Sequence, residues 1–212
     1  MMLGAAVCRD EGWARVTAMS LRLSRDEAWS LLTEWVTSES LRRHCLAVEA
    51  AMRAYARAGG SDEELWGVVG LLHDMDYERF PDLQTGHPRM AIAELESRGV
   101  DPVITRAIAS HADFVGVSRD SDLEKTLFAV DELCGFVLAC AYVRPEGIHG
   151  MAPKSVKKKL KQPSFAAAVN RADITSGAEE LGIDFDEHVR TVIAALEPHA
   201  EALGVDGRTV NS

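Results

Sequence analysis

The sequence predicts an all-α fold. Apolar residues recur at steps of three and four along most of the chain, capping residues and glycines bracket those stretches, and no segment alternates as a half-buried strand does. The 212 residues suffice for one substantial core, and 47% apolar against 26% charged residues is the balance of a globular domain rather than a disordered chain. A formal net charge of -10 disfavours non-specific attraction to nucleic acid or anionic lipid, so neither is expected as a partner and an anionic substrate must be met locally. Cys8, Cys45, Cys134 and Cys140 form no CxxC pair, and three of them fall in apolar stretches where free thiols pack as small hydrophobes, which suits a reducing cytoplasm. No stretch approaches the roughly 18 apolar residues of a membrane span.

Residues 1–20 carry little pattern and read as an extension: the opening MMLGAAVC meets Arg9, Asp10 and Glu11 before it reaches the length of a signal peptide, and Met19 is a second candidate start. Ser24 with Glu27 fits a capping box, and Ala28, Leu31, Leu32 and Trp35 keep helical spacing, predicting a helix over 25–37. A second helix over 39–58 follows from Leu41, Cys45, Val48, Met52 and Tyr55, with Gly59-Gly60 as its stop and His44 on its apolar side. Ser61 with Glu64 caps a third, apolar nearly all round from Leu65 to Leu72 and therefore central, which ends in His73-Asp74. Residues 75–86 hold turn formers without a period and read as a loop over that helix end. Pro88 suits the first turn of a helix to about Arg98, and Asp101-Pro102 opens another that carries His111 on its inner stripe. A long helix over 122–142 sets Asp131 among Leu127, Val130, Cys134 and Leu138. Beyond Pro145 come a lysine-rich segment over 153–161, helices near 165–170 and 175–181, and an amphipathic helix over 186–203.

Burying His73 and Asp74 at the end of an apolar helix is costly unless each is paired, hydrogen-bonded or metal-bound. His44 and Asp131 also sit on inward faces, and imidazole nitrogen with carboxylate oxygen suits zinc, iron, manganese, cobalt or nickel, without ranking them. The order His44, His73-Asp74, Asp131 resembles the HD superfamily of metal-dependent phosphohydrolases, an all-helical fold named for that pair, over about residues 25–145. The resemblance implies an HD-domain helical bundle, one domain over 21–205 whose C-terminal extension is the helices of 150–205, with a flexible tail at 206–212. His87 and His111 fall where binuclear members place ligands for a second metal, as small bacterial members that split diadenosine tetraphosphate do. It thus implies two divalent ions, the first on His44, His73, Asp74 and Asp131, the second on His87 and His111 with Asp74 bridging. The phrases HDMDYERFP, AVDELCGF, SVKKKLKQPSFAAAVNR and GAEELG are similar to small bacterial proteins described as HD hydrolases, which brings no substrate with it. His87 could instead be a loop or cap histidine and His111 a satisfied core histidine, while His149, His188 and His199 read as ordinary surface or helix histidines.

Two ions sharing a carboxylate could hold a hydroxide and neutralise a phosphoryl group. The expected activity is therefore hydrolysis of a phosphoric ester or anhydride in a small phosphorylated or nucleotide-like metabolite, with Asp74 as the catalytic residue. Lys154, Lys157, Lys158, Lys159 and Lys161 form either a phosphate-binding flank or a solvated helix face, and Arg89 is a further candidate anion contact. Tyr77 stands where many HD phosphohydrolases carry a lysine, and with Asp76, Glu78 and Arg79 it marks the loop either for substrate selection or as solvated surface. Two other functions stay open: a di-iron oxygenase on the same six ligands, and a non-catalytic module whose metal stabilises the fold. A two-fold homodimer is the ordinary expectation at this size.

Overall fold

The computed structural model describes residues 20–207. Nine α-helices stand among them: α1 Arg25–Trp35, α2 Glu39–Gly59, α3 Glu63–Leu72, α4 Arg89–Ser97, α5 Pro102–Ser110, α6 Asp122–Tyr142, α7 Pro153–Leu160, α8 Arg171–Leu181 and α9 Phe185–Leu196. Short 3-10 turns follow α5 at Asp113–Val115 and α9 at Glu197–His199. The described residues contain no strand, only a single bridge between Leu21 and Val100. No helix among them is long and apolar enough to cross a membrane. Cys8 and nearly all of the expected extension and tail lie outside the described residues.

Local chemistry explains most boundaries. The Ser24/Glu27 capping box opens α1, and Ser121 with Glu124 builds another at α6. At α3 the cap is Asp62 rather than the expected Ser61: its carboxylate accepts the Leu65 amide at 3.0 Å and adds negative charge to the helix N-terminus. Glu64, freed from a capping role, accepts the Arg25 amide at 2.8 Å and ties α1 to α3. Pro88 sits at the N-cap of α4, one position before the first turn. The helix expected over 165–170 does not form; Asn170 instead caps α8 through the Ala172 amide, and the Arg171 guanidinium takes the Leu160, Gln162 and Val169 carbonyls. Those contacts organise the segment as turns. The lysine-rich segment, in contrast, is helical as α7.

Helices α2, α3 and α6 form the centre. Every residue of α3 from Trp66 to Leu72 is buried, and α3 packs along α2. Gly70 permits that approach, since a Cβ there would lie 3.0 Å from backbone atoms of Val48 and Glu49. On the far side α8 packs along α6, and a Cβ on Gly177 would lie 2.6 Å from the Ala129 Cα. One continuous apolar cluster runs from Ala28 to Val205. Each fully buried Leu, Ile or Phe in it contributes about 1.5–3 kcal/mol relative to exposure.

Candidate metal centre

Five segments deliver the ionisable side chains to one point. His44 comes from α2, His73 and Asp74 from the end of α3, His87 from the start of α4, His111 from the end of α5 and Asp131 from the middle of α6. Adjacent residues on a regular helix diverge by about 100°. His73 and Asp74 nevertheless converge because α3 ends at Leu72: His73 is its C-cap and Asp74 begins the turn beyond.

His44, His73, Asp74 and Asp131 offer ligand atoms that all lie within 4.8 Å of one another, and Asp74, His87 and His111 do the same. Either group could hold a metal ion. Asp74 belongs to both, and its two oxygens are divided between them. Oδ2 faces His44 and His73 Nε2 at 3.6 and 3.5 Å, while Oδ1 faces His87 and His111 Nε2 at 3.5 and 3.7 Å. Asp131 Oδ1 completes the first group at 2.9 Å from His44 Nε2 and 3.3 Å from His73 Nε2.

The outer nitrogens decide how the inner ones point. Nδ1 of His73 donates to the Gly70 carbonyl at 2.8 Å, Nδ1 of His111 to the Ile108 carbonyl, and Nδ1 of His87 to Asp76 at 2.8 Å. A neutral imidazole that donates from Nδ1 has its lone pair on Nε2. With the rings neutral, as metal binding requires, three lone pairs aim inward, and His73 Nε2 lies only 3.2 Å from His44 Nε2. Such a donor set fits a divalent cation, with backbone carbonyls and Asp76 as the outer partners that orient it.

The electrostatics agree. Burial opposes a charged imidazole at His73, yet Asp74 and Asp131 outweigh it and raise its pKa well above the ordinary value. Burial likewise works against ionised Asp74 and Asp131, but the His73 charge holds both below the usual carboxylate range. At His111 burial prevails and lowers the pKa, which keeps its Nε2 free to act as a ligand. The centre thus calls for positive charge between Asp74 and Asp131, which a metal ion would supply.

A cavity of about 600 Å³ opens onto this centre. Tyr77 lines it, edge-on to His87 with ring centroids 5.2 Å apart. Its loop neighbours turn away: Glu78 accepts the Thr37 and Ser38 amides at 2.8 and 2.9 Å, and Arg79 donates to the Glu34 carbonyl at 2.5 Å. Asp76 is buried beneath the site as the partner of His87. Arg89 stands behind the cavity rim, its guanidinium donating to the Leu83 carbonyl at 2.8 Å and stacked 5.9 Å over the Phe114 ring. Lys154 and Lys157 do not line this cavity, and Lys157 pairs with Asp186 at 2.6 Å. Lys158 and Lys159 instead border a separate cavity of about 280 Å³ with Cys140 and Arg144.

Sequence reasoning did not single out Glu132, Asp173, Asn170 or Phe114, all of which line the larger cavity. Glu132 directly follows Asp131, and that adjacency was the available signal. Burial and the Asp131 charge push its carboxyl up to about 7. Cys45, Cys134 and Cys140 are buried free thiols, as expected. His188, expected as a surface or helix histidine, sits on α9 with its side chain fully buried, Nε2 donating to the Ala129 carbonyl at 3.0 Å and Nδ1 accepting from the Tyr55 hydroxyl at 2.6 Å.

The family model described as HD domain matches residues 41–136, a span that contains all six candidate ligands. Residues 41–136 are therefore similar to an HD domain. No curated protein and no solved structure gives a significant match.

Proposed function

We propose that this protein is an HD-domain, metal-dependent phosphohydrolase acting on a phosphoric ester or anhydride of a small molecule. The observation that carries the reading is the division of Asp74, one oxygen toward each ligand group. When bound, a pair of divalent ions supplies Lewis acidity and lowers the pKa of coordinated water toward neutrality. His44, His73, Asp74 and Asp131 would hold one ion and Asp74, His87 and His111 the other.

The chain's own residues supply geometry and exclusion of bulk water. His73, His87 and His111 are buried, and the cavity bordered by Tyr77 opens onto the centre. Backbone carbonyls and Asp76 fix the imidazoles before substrate arrives, so little reorganisation accompanies the reaction. Asp74 is the proposed catalytic residue because both groups depend on it, and Tyr77 is the proposed substrate contact. Arg89 acts through the rim residues it touches, and Lys154 and Lys157 take no part in this reading.

The test is turnover of phosphomonoester, phosphodiester and dinucleoside polyphosphate substrates by protein supplied with manganese, iron, cobalt, nickel or zinc. Parent protein should hydrolyse at least one class with one of these metals, and Asp74→Ala should lose roughly a thousandfold or more, the scale of losing metal-supplied charge stabilisation. Undiminished hydrolysis by Asp74→Ala, or none by the parent with any metal, contradicts the proposal.

A further inference from the structure

Resting on the phosphohydrolase reading, we infer that the site selects esters with one phosphoryl group on an apolar, ring-bearing body, and discriminates against substrates with a second anionic group. The first observation is the charge of the cavity wall. Five carboxylates line it, those of Asp74, Asp113, Asp131, Glu132 and Asp173, and no lysine or arginine does among the described residues. Asp113 is paired with Arg119. Glu132 and Asp173 make no ion pair among the described residues.

Two divalent ions would bring four positive charges against the two ligand carboxylates, Asp74 and Asp131. With a bound hydroxide also counted, the surplus is one positive charge, which favours one phosphoryl group and leaves nothing for a second anion. A further phosphate or carboxylate on the substrate would have to lie against Glu132 and Asp173 in a partly desolvated space, where like charges repel strongly. None of the six lysines lines this cavity; Lys158 and Lys159 border the other one and Lys157 pairs with Asp186.

The second observation is independent of charge. Tyr77, Leu83 and Phe114 line the mouth while remaining 45%, 47% and 46% exposed, large apolar side chains held open to solvent together. Phe128 and Val169 extend the apolar surface inward. Arg89 braces both Leu83 and Phe114 from behind. Convergent polar groups at the base of an apolar-walled cavity are the usual form of a small-molecule site, and here the walls suit a flat ring.

The experiment titrates the metal-loaded full chain with phenyl phosphate, 4-carboxyphenyl phosphate and methyl phosphate by calorimetry at about pH 8, where exposed carboxylates are ionised. Phenyl phosphate should bind about tenfold or more tightly than its carboxylated analogue at low ionic strength, and the gap should shrink as salt is added. Asp173→Asn and Glu132→Gln should each narrow that gap. Phe114→Ala should narrow the advantage of phenyl over methyl phosphate. Equal or tighter binding of the carboxylated ester overturns the inference. Hydrolysis of the same esters, followed in parallel, separates the two claims: turnover without discrimination leaves the phosphohydrolase and removes the selectivity, whereas discriminating binding without turnover does the reverse. Failure of all three esters to bind overturns both.

Discussion

Asp76 is buried, and its carboxylate is divided between His87 Nδ1 and the Ala91 amide, each at 2.8 Å. It therefore fixes the His87 tautomer and anchors the first turn of α4 in one contact set. Outer partners of this kind are worth about 10–100-fold in metal affinity, so Asp76→Asn should weaken the second ion by that range and spare the first. A metal titration showing both ions unaffected would refute this role. His188 offers a residue-scale prediction on stability. Burial lowers its pKa below the ordinary 6.5, so between the folded and unfolded values the unfolded chain holds a proton that the folded chain lacks. Its contribution is complete above about pH 6.5 and is lost as pH falls through the lowered value. Denaturant midpoints at neutral and acidic pH should show a shallower acid-side loss for His188→Gln than for the parent; parallel curves would be the contrary result. Five of the six candidate ligands were legible because each polar side chain interrupts a helical apolar stripe or ends one, whereas His87, just after the unpatterned loop, was marked by the family resemblance. The role of Asp76 was not, because residues 75–86 carry no period from which an inward direction could be read.

Helices α6 and α8 approach so closely at Gly177 that any side chain must displace the α6 backbone at Ala129. Asp131 lies two residues further along α6, and Asp173 lies one turn before Gly177 on α8. Gly177→Ala should cost about 1–3 kcal/mol as an overpacked contact, lowering Tm by about 2–4 °C per kcal/mol at this chain length. An unchanged Tm would mean that the interface has slack. Helices α1 to α6 were readable from their apolar stripes, although the cap of α3 was misassigned by one residue and α4 has no side-chain cap. The stretch after Lys161 was misread as helical because Phe165, Ala166 and Val169 mimic the right spacing, whereas Arg171 draws the intervening carbonyls into turns. No local signal in the sequence announces that contact.

Across the whole molecule, charge is distributed against the simplest expectation. An acidic chain gathers five of its six lysines over residues 154–161, away from the centre, and lines the centre itself with carboxylates and imidazoles. Composition predicted that an anion must be met locally; the ligand groups gathered from α2, α3, α5, α6 and the turn before α4 could hold a metal ion for that task. The HD-domain match over residues 41–136 covers that arrangement, while α7 and α9 add to the core and α8 contributes Asp173 to the cavity wall. The most direct test of this account is elemental analysis of the purified protein beside its His87→Ala variant, after loading with the metal that supports turnover. The account predicts two ions per chain in the parent and about one in the variant, with hydrolysis lost, since structural and catalytic ions need their full ligand sets. A single ion in the parent, retained unchanged in the variant, would contradict the shared-carboxylate centre.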